Sequence, residues 1–308
     1  MEISKLSQVD YGGWDAVQIT TDAARLTVPT SIGLRIIEFG FRDGPNLFYN
    51  DADQIGGSGE SEFMLRGGHR FWVAPEELTR TPELDNAAIA YEAIPGGVRI
   101  TQPIDPKNQT LKEIEISFID STSVRVLHKL TNRSVWPIEM APWALSVMSM
   151  GGYLALPLPE KRDHGAGSLL PNTAIVLWPY TDFSVPQWQF HQTHIGVDTC
   201  GNRSVQKLGV RDYPAWSAYW QPGGTFLKAQ VPTRNGDYPD EGCVFETYFC
   251  PDFIEIETLG VFGMVQPGET VEHVENWGLV GDLPRPDSVD VFNESLKPAA
   301  MDFLAGVL

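Results

Sequence analysis

The sequence is poor in cysteine and in basic residues. Its three cysteines are too few and too scattered for a disulfide framework, and no Cys-x-x-Cys pair offers a zinc site. A reducing compartment is therefore the simpler expectation. The 22 Lys and Arg residues are outnumbered by 40 Asp and Glu residues, so the formal net charge is −18. That charge excludes nucleic-acid binding of the ordinary electrostatic kind, which requires a basic surface.

Long apolar runs and the common catalytic signatures are also missing. No stretch approaches the ~18 apolar residues of a membrane helix, and the N-terminal segment lacks the basic and apolar regions of a signal peptide. We therefore expect a cytoplasmic protein with no membrane partner. The sequence contains no Gly-x-Ser-x-Gly, Walker, dinucleotide-binding or His-Glu-x-x-His motif, which argues against the common hydrolases, nucleotide-binding proteins and zincins.

Glycine, proline and apolar residues are plentiful. The 29 Gly and 23 Pro residues are spread along the chain, as is typical of many short strands joined by turns. Hydrophobic residues make up 42% of the sequence, which is enough to bury a large core. Alternating or apolar segments predict strands at 16–20, 24–29, 34–40, 98–102, 111–118, 123–130, 175–178, 215–219, 226–231, 243–250, 253–259 and 271–279.

The end of the sequence has a different pattern. In residues 287–308 apolar side chains recur at helical spacing, with an interruption at Pro298. No internal repeat or flexible linker divides the rest of the chain. We therefore predict one all-β domain over residues 1–285, with a short helical C-terminal appendage over residues 286–308 that packs on it.

The clearest predicted strand carries two carboxylates on one face. Period-2 geometry sends Ile254 and Ile256 to one side and Glu255 and Glu257 to the other, with the two glutamates about 7 Å apart. On a solvated face the pair would be solubilising charge. On the floor of a cleft, mutual repulsion would raise the pKa of one carboxyl and suit it to proton transfer.

Residues 63–76 form a second notable segment, which we interpret as a loop. It contains a glycine pair, an imidazole, two guanidinium groups, an indole and a carboxylate. Gly67 and Gly68 would allow a ligand to approach the backbone closely, and so many polar groups are unfavourable to bury without a purpose. The other interpretation is a structural loop in which Arg70 pairs with Glu76 or Glu77 and Trp72 belongs to the core.

Tryptophans and histidines offer weaker signals. An indole can cover the apolar C–H face of a sugar ring while neighbouring polar groups bond its hydroxyls, although most of the nine tryptophans should be core. His191 and His194 have only Asp198 nearby as a third ligand, so we predict an ordinary loop and no metal site. His128 lies on the apolar face of its strand, which favours a core histidine.

Several segments together resemble the aldose 1-epimerase (galactose mutarotase)-like proteins, and most closely an uncharacterised branch of that superfamily. The resemblance covers roughly residues 15 to 280. The segments that carry it are 26–39, 46–48, Gly67-Gly68-His69-Arg70-Phe71-Trp72-Val73-Ala74-Pro75-Glu76, 132–143, 238–260 and 266–277.

The resemblance implies a β-supersandwich whose concave sheet forms an open carbohydrate cleft. The family chemistry interconverts α and β anomers without a cofactor: a carboxylate takes the proton of the anomeric hydroxyl while an imidazole protonates the ring oxygen. Characterised mutarotases carry an Asn-x-x-x-His-x-Tyr-Phe-Asn-Leu segment that we do not find. After Asn132 this chain continues without a histidine through Trp143.

Carried onto this sequence, the resemblance implies a base at Glu257 or Glu246 and an acid at His69. Glu257 is preferred to Glu255 because it lies further along the strand, and to Glu246 because Glu246 shares its strand face with Val244 and Tyr248. The implied substrate-binding residues are Arg70, Trp72, Glu76, Trp143, Tyr238, Asp240, Glu255 and His273.

Two other functions stay open beside a sugar epimerase. A carbohydrate-binding protein would keep the cleft without the proton-transfer geometry. A polysaccharide lyase or glycoside hydrolase is the third hypothesis. A lyase for acidic polymers needs a basic groove, whereas the net charge of −18 favours a neutral substrate. The expected partner is a small-molecule carbohydrate, bound by a monomer or a homodimer.

Overall fold

A computed structural model describes residues 4–165, 168–211, 216–233 and 235–308. Short strands and turns make up most of these residues. The first eleven strands are β1 (Lys5–Tyr11), β2 (Trp14–Thr20), β3 (Ala24–Pro29), β4 (Arg35–Ile36), β5 (Glu38–Phe41), β6 (His69–Ala74), β7 (Ala90–Ile94), β8 (Gly97–Thr101), β9 (Thr110–Phe118), β10 (Ser123–Asn132) and β11 (Ile138–Ser149). The others are β12 (Tyr153–Pro157), β13 (Ile175–Leu177), β14 (Trp188–Phe190), β15 (His194–Asp198), β16 (Gln206–Val210), β17 (Trp216–Gln221), β18 (Gly224–Ala229), β19 (Phe245–Phe249), β20 (Phe253–Leu259), β21 (Gly263–Val265) and β22 (Thr270–Val280). The predicted strand at 215–219 corresponds to β17, and Ala215 itself lies outside the described residues.

Three sheets organise these strands. The ten-stranded sheet has the order β14-β15-β12-β17-β18-β22-β10-β9-β8-β7, and the four-stranded sheet has the order β1-β2-β3-β5. The eight-stranded sheet runs β13-β16-β19-β20-β11-β6-β4, with β21 also paired to β11. Neighbours such as β10 and β22, β11 and β20, and β19 and β20 are antiparallel, so side-chain alternation decides which residues face the core.

The main core lies between the ten- and eight-stranded sheets. Ile254 and Ile256 of β20 pack in the same apolar cluster as Val124 and Val126 of β10, as the alternation in both segments predicts. Aromatic rings fill part of it: the ring centroids of Phe226 and Trp277, for example, lie 5.6 Å apart. The predicted all-β class, with two large stacked sheets, is confirmed.

The C-terminal segment is helical and packs on the outer face of the ten-stranded sheet. It consists of α1 (Val289–Val291), a π-helical turn (Phe292–Leu296) and α2 (Lys297–Val307). Phe292, Leu296 and Ala300 share an apolar cluster with Trp216 and Leu227 of the sheet. No helix in the described ranges is long and apolar enough to cross a membrane.

The expected interruption at Pro298 takes a milder form than a break. Pro298 stands in the first turn of α2, where its missing N–H would have no partner in an isolated helix. The wider π-helical turn directly before it continues the backbone into α2. The helical segment therefore passes through the proline.

Candidate functional site

Alternation on neighbouring strands of the eight-stranded sheet collects polar residues on the face turned away from the main core. Register pairs Glu257 of β20 with Glu246 of β19 on one side and with Leu145 of β11 on the other. Leu145 in turn lies opposite Arg70 of β6. We call this surface the site face and define it by Arg70, Trp72, Trp143, Leu145, Lys207, Glu246, Tyr248, Glu255 and Glu257.

Lys207 of β16 joins two of the carboxylates. Its Nζ lies 2.7 Å from Glu246 Oε2 and 3.2 Å from Glu257 Oε2. The ammonium also lies 4.8 Å from the ring centres of both Trp143 and Trp178. Burial opposes its charge, but the carboxylates of Glu257 and Glu246 outweigh burial and raise the pKa of Lys207. Lys207 is therefore a fixed positive charge at neutral pH.

Arg70 of β6 pairs with the third glutamate. Its Nη2 donates to Glu255 Oε1 at 2.6 Å, and its guanidinium carbon lies 4.3 Å from the ring centre of Trp72. Burial raises the pKa of Glu255, and Arg70 offsets part of that effect. The Nε and Nη1 atoms of Arg70 are buried and have no hydrogen-bond partner among the described residues.

Glu257 is held by an indole as well as by Lys207. Trp143 Nε1 donates to Glu257 Oε2 at 2.9 Å. Because both donors reach the same oxygen, Glu257 Oε1 has no hydrogen-bond partner in the part of the chain that the structure describes. Glu257 therefore keeps one buried acceptor oxygen without a donor on the site face.

Glu246, the cross-strand neighbour of Glu257, has a strongly shifted pKa. Burial, together with repulsion from Glu257 and Asp240, raises the pKa of Glu246 well above its ordinary value, despite the attraction of Lys207. Burial also raises the pKa of Asp240, whose carboxyl interacts with that of Glu246. The site face thus places beside Glu257 a carboxyl group whose pKa is raised toward its protonated form.

The turn at Pro239–Gly242 delivers Asp240 to this contact. Asp240 and Glu241 have left-handed backbone conformations, with φ of 52° and 61°. Such angles are unfavourable for residues other than glycine and turn the chain sharply. Tyr238 precedes the turn, and its ring packs against the apolar residues beside Trp143.

A partly exposed aromatic layer borders the carboxylates. Trp72 lies edge-on to Trp143, with ring centroids 5.6 Å apart. Tyr180 is 44% exposed, and its pKa of about 12 is raised by burial and responds to the charges of Lys207 and Glu257. Glu246 and Glu257 are fully buried, so the aromatic layer forms the accessible part of the site.

The fold of this chain is similar to several solved structures. A galactose mutarotase-like protein from Clostridium acetobutylicum matches with a TM-score of 0.56 at 9% identity, over 91% of this chain and 99% of that one. Another, from Lactobacillus casei, matches with a TM-score of 0.52 at 10% identity, over 90% and 100% of the two chains. A candidate aldose 1-epimerase from Klebsiella pneumoniae matches with a TM-score of 0.53 at 11% identity, over 95% and 87%. No protein-family model matches the sequence, and no curated protein matches it.

The chain has the galactose mutarotase-like fold. Likeness at these identities establishes the fold alone, because unrelated activities share one scaffold. The predicted resemblance to aldose 1-epimerase-like proteins is confirmed at that level. What the galactose mutarotase-like scaffold does here has to be argued from the site face.

Most of the residues proposed from the sequence come together on or beside the site face. Glu257, Glu246, Glu255, Arg70, Trp72 and Trp143 lie on it, and Asp240 reaches it from its turn. Tyr238 lies at its edge, where its hydroxyl accepts a hydrogen bond from the Thr233 N–H at 2.7 Å. Glu76 is exposed near Tyr180, and Arg70 pairs with Glu255 instead of Glu76.

His69 requires a correction. The sequence predicts a loop over residues 63–76 and an acid at His69 in the same cleft as Glu257. Residues 69–74 instead form strand β6, so consecutive side chains leave opposite faces and His69 points away from Arg70. His69 is fully buried between the sheets, where its ring nitrogens contact Ser146 and His128. It does not share the site face with Glu257.

His273 is also displaced from the expected place. It lies on β22 of the ten-stranded sheet, and its Nε2 lies 2.7 Å from Thr258 Oγ1. Thr258 follows Glu257 on β20 and therefore faces the interior. The imidazole is thus separated from Glu257 by the backbone of β20.

The glycine pair before β6 accommodates the protein's own backbone. Gly67 and Gly68 have positive φ of 94° and 74°. A Cβ atom would lie 2.0 Å from the Tyr49 carbonyl oxygen at Gly67 and 2.4 Å from that of Ile36 at Gly68. The predicted close approach therefore exists, but the groups that approach the glycines are backbone carbonyls of the same chain and not a ligand.

Lys207 and Tyr180 belong to the site but were not predicted from the sequence. Lys207 is the single charged residue in the buried strand β16, and Gly209 follows it on the same face. Gly209 matters because a Cβ there would lie 3.2 Å from the ring of Trp178, which packs beside Lys207. A lone lysine in an apolar strand was the signal that could have indicated a buried functional residue. The partners of Lys207 could not be identified, because β16 pairs with β19, which is far away in the sequence.

One interior group has metal-ligating atoms close together among the described residues. The ligating atoms of His69, His128 and Glu275 lie within 4.8 Å of one another. The two imidazoles are already hydrogen-bonded through their Nε2 atoms, 2.8 Å apart, and Lys228 Nζ lies 2.8 Å from Glu275. A cation beside a buried ammonium is electrostatically unfavourable, so we interpret the group as a hydrogen-bonded network.

Proposed function

We propose that this chain is an aldose 1-epimerase-like isomerase that interconverts the anomers of a neutral sugar at the site face. One observation carries the proposal: Glu257 and Glu246 occupy paired positions on adjacent strands, and both contact Lys207. The raised pKa of Glu246 makes it a proton donor, while Glu257 presents an unpartnered oxygen as the acceptor. An acid and a base held on one surface are the requirement of anomer exchange.

The charges of the site favour a neutral ligand. Among the described residues, the cations that pair with the glutamates of the site face are Lys207 and Arg70. Both already have carboxyl partners, so neither is a free counter-charge for an anionic sugar, and the whole chain carries −18. The half-buried indole of Trp72 offers an apolar surface for a ring face, and the Arg70 guanidinium carbon lies 4.3 Å from the centre of that indole.

The reaction needs no net gain or loss of protons or electrons. Glu257 accepts the proton of the anomeric hydroxyl as the bond between the anomeric carbon and the ring oxygen breaks. Glu246 gives its proton to that ring oxygen, and the open-chain aldehyde rotates about the bond to its second carbon. Closure on the other face reverses both transfers: the ring-forming hydroxyl returns its proton to Glu246, and Glu257 protonates the carbonyl oxygen. Lys207 stays charged throughout, because its raised pKa makes it a poor acid.

We expect Glu246→Gln to remove the alkaline limb of the pH–rate profile. In the wild-type protein turnover falls as pH rises through the raised pKa of Glu246, since the proton donor is then lost. The Gln variant cannot donate this proton, so its turnover is at least ~10²-fold lower and loses that limb. The measurement is kcat between pH 5 and pH 9 for both proteins.

Asp240→Asn serves as the matched variant in this experiment. It removes one of the charges that raise the pKa of Glu246, so the alkaline limb should move to lower pH without disappearing. Profiles of the same shape in the wild type and Glu246→Gln would contradict the assignment of Glu246 as the acid.

We expect Trp72→Ala to weaken sugar binding and leave the fold intact. Loss of an apolar surface of this kind costs about 1–3 kcal/mol of binding free energy, or roughly 5- to 150-fold in Kd. Isothermal titration with the best sugar, together with a thermal unfolding curve, tests this. Trp136→Ala is the control, because Trp136 is 74% exposed and lies outside the site face. Equal Kd values in both variants would remove Trp72 from the binding surface.

Polarimetry across a panel of neutral hexoses and pentoses tests the proposed function directly. A freshly dissolved single anomer should reach equilibrium rotation faster in proportion to the protein added. Carbohydrate binding without turnover is the second candidate, favoured by the complete burial of Glu246 and Glu257 against Lys207. Saturable sugar binding with an unchanged rate of mutarotation would establish that alternative.

A further inference from the structure

A buried ammonium crosses the interior directly beneath the site face. Lys228 belongs to β18 of the ten-stranded sheet and is fully buried. Its Nζ lies 2.8 Å from Glu275 Oε1 and 3.1 Å from Ser146 Oγ. It also donates to the carbonyl oxygens of Ile256 at 2.8 Å and Ala144 at 3.2 Å, both in the opposite sheet.

These two carbonyls belong to the strands that place Glu257. Ile256 directly precedes Glu257 on β20, and Ala144 directly follows Trp143 on β11. Trp143 is the residue whose indole N–H bonds the Glu257 carboxylate. One ammonium therefore bonds the peptide carbonyl that precedes Glu257 and the carbonyl of the residue that follows its indole donor.

The histidines of the interior hold this anchor in one protonation pattern. The His273 carbonyl can only accept, so His128 Nδ1 carries a proton and His128 Nε2 accepts from His69 Nε2. His69 Nδ1 then accepts from the Ser146 hydroxyl, whose oxygen accepts from Lys228. Burial keeps both imidazoles neutral by lowering the pKa of His69 and that of His128, the latter to about 3.

Stability alone does not account for this arrangement. A hydrophobic pair of similar volume is often as stabilising as a buried ion pair, or more so. What the buried Lys228–Glu275 pair adds is geometry, because the bonds of Lys228 fix the separation of β11 and β20 from the ten-stranded sheet. Small displacements of a reacting group lower rates strongly, with 1 Å worth about 10²-fold.

We propose that Lys228 is a positioning residue: with Glu275 and Ser146, it fixes β11 and β20 so that Trp143 and Glu257 meet in the reactive geometry. The inference rests on the proposed isomerase function for its kinetic consequence, but not for its structural one. In this proposal His69 acts on the site indirectly, through Ser146 and Lys228, and not as the direct acid that the sequence predicted.

The test is the double variant Lys228→Met with Glu275→Gln, which removes both charges and keeps an amide acceptor for the Trp277 N–H now bonded to Glu275. We expect kcat to fall about 10- to 100-fold, with sugar Kd within about threefold of the wild type. The control is Arg25→Met with Glu38→Gln, an ion pair at 2.8 Å in the four-stranded sheet whose arginine also donates to the Phe41 and Gly44 carbonyls. Its kcat should stay within about threefold of the wild type.

A readout that does not depend on turnover separates this inference from the proposed function. The Trp143 indole N–H resonance, assigned with Trp143→Phe, should shift and exchange faster with solvent in the Lys228/Glu275 variant only. If the wild type has no isomerase activity, this resonance still decides the positioning role. Should the double variant not fold, Ser146→Ala removes one acceptor and the link to His69 while leaving the ion pair. An unchanged Trp143 resonance in the variant that folds, or equal kcat losses in both double variants, would overturn the proposal.

Discussion

Glu257→Gln lowers the rate of anomer interconversion at least ~10²-fold and leaves sugar affinity nearly unchanged. The amide keeps the shape of the side chain and an oxygen that can accept the Trp143 N–H, now 2.9 Å from the carboxylate. It cannot take a proton from the anomeric hydroxyl, so only the chemical step is affected. Initial rates by polarimetry and Kd values by titration measure the two quantities separately.

Glu255→Gln is the matched control for this result. Glu255 lies two residues away on the same face of β20, but Arg70 pairs with it at 2.6 Å. The amide can still accept from Arg70, so we expect a loss below about tenfold, through orientation alone. Wild-type activity in Glu257→Gln would refute its role as the base. If only Glu246→Gln lost activity, the base would move to β19.

Lys207→Met should be the most destabilising single change at the site. It leaves Glu246 and Glu257, both fully buried, without their shared cation. Breaking a buried ion pair in this way costs about 3–5 kcal/mol of unfolding free energy. Urea unfolding at pH 8 measures the loss.

The destabilisation caused by Lys207→Met should be smaller at low pH than at high pH. Without the ammonium, the pKa of Glu246 in the folded protein rises further above its unfolded value. The folded state then binds more protons than the unfolded state, so stability is retained at low pH and lost as pH rises through the folded pKa. We expect a much smaller difference from the wild type at pH 5 than at pH 8.

Lys129→Met provides the comparison for a less buried pair. Lys129 lies 2.7 Å from Glu115 and is 23% exposed in its side chain. Its loss should cost less than about 1 kcal/mol, because solvent screens such pairs. Equal destabilisation of Lys207→Met at pH 5 and pH 8 would contradict the proposed charge balance of the site.

The parts of the site that were predictable follow from short-range periodicity. Alternation over Phe253–Leu259 placed Glu255 and Glu257 on one face and the isoleucines in the core, and the structure agrees. The same rule placed His128 in the interior. Such inferences need only the residues of one strand.

The failures come from an incorrect local assignment and from long-range pairing. Interpreting residues 69–74 as a loop concealed the alternation that separates His69 from Arg70. The partners of Lys207 lie on β19 and β20, and this pairing is fixed by tertiary packing, which periodicity cannot reveal. The interior bonds of Lys228 likewise join opposite sheets.

Saturation-transfer NMR on an equilibrium mixture of anomers tests the central claim most directly. Saturating one anomeric proton in the presence of the wild-type protein should reduce the signal of the other anomer for at least one neutral sugar. The effect should scale with protein concentration and be lost in Glu257→Gln. Transfer that never exceeds the protein-free rate for any sugar, including one shown by titration to bind, would contradict an isomerase at the site face.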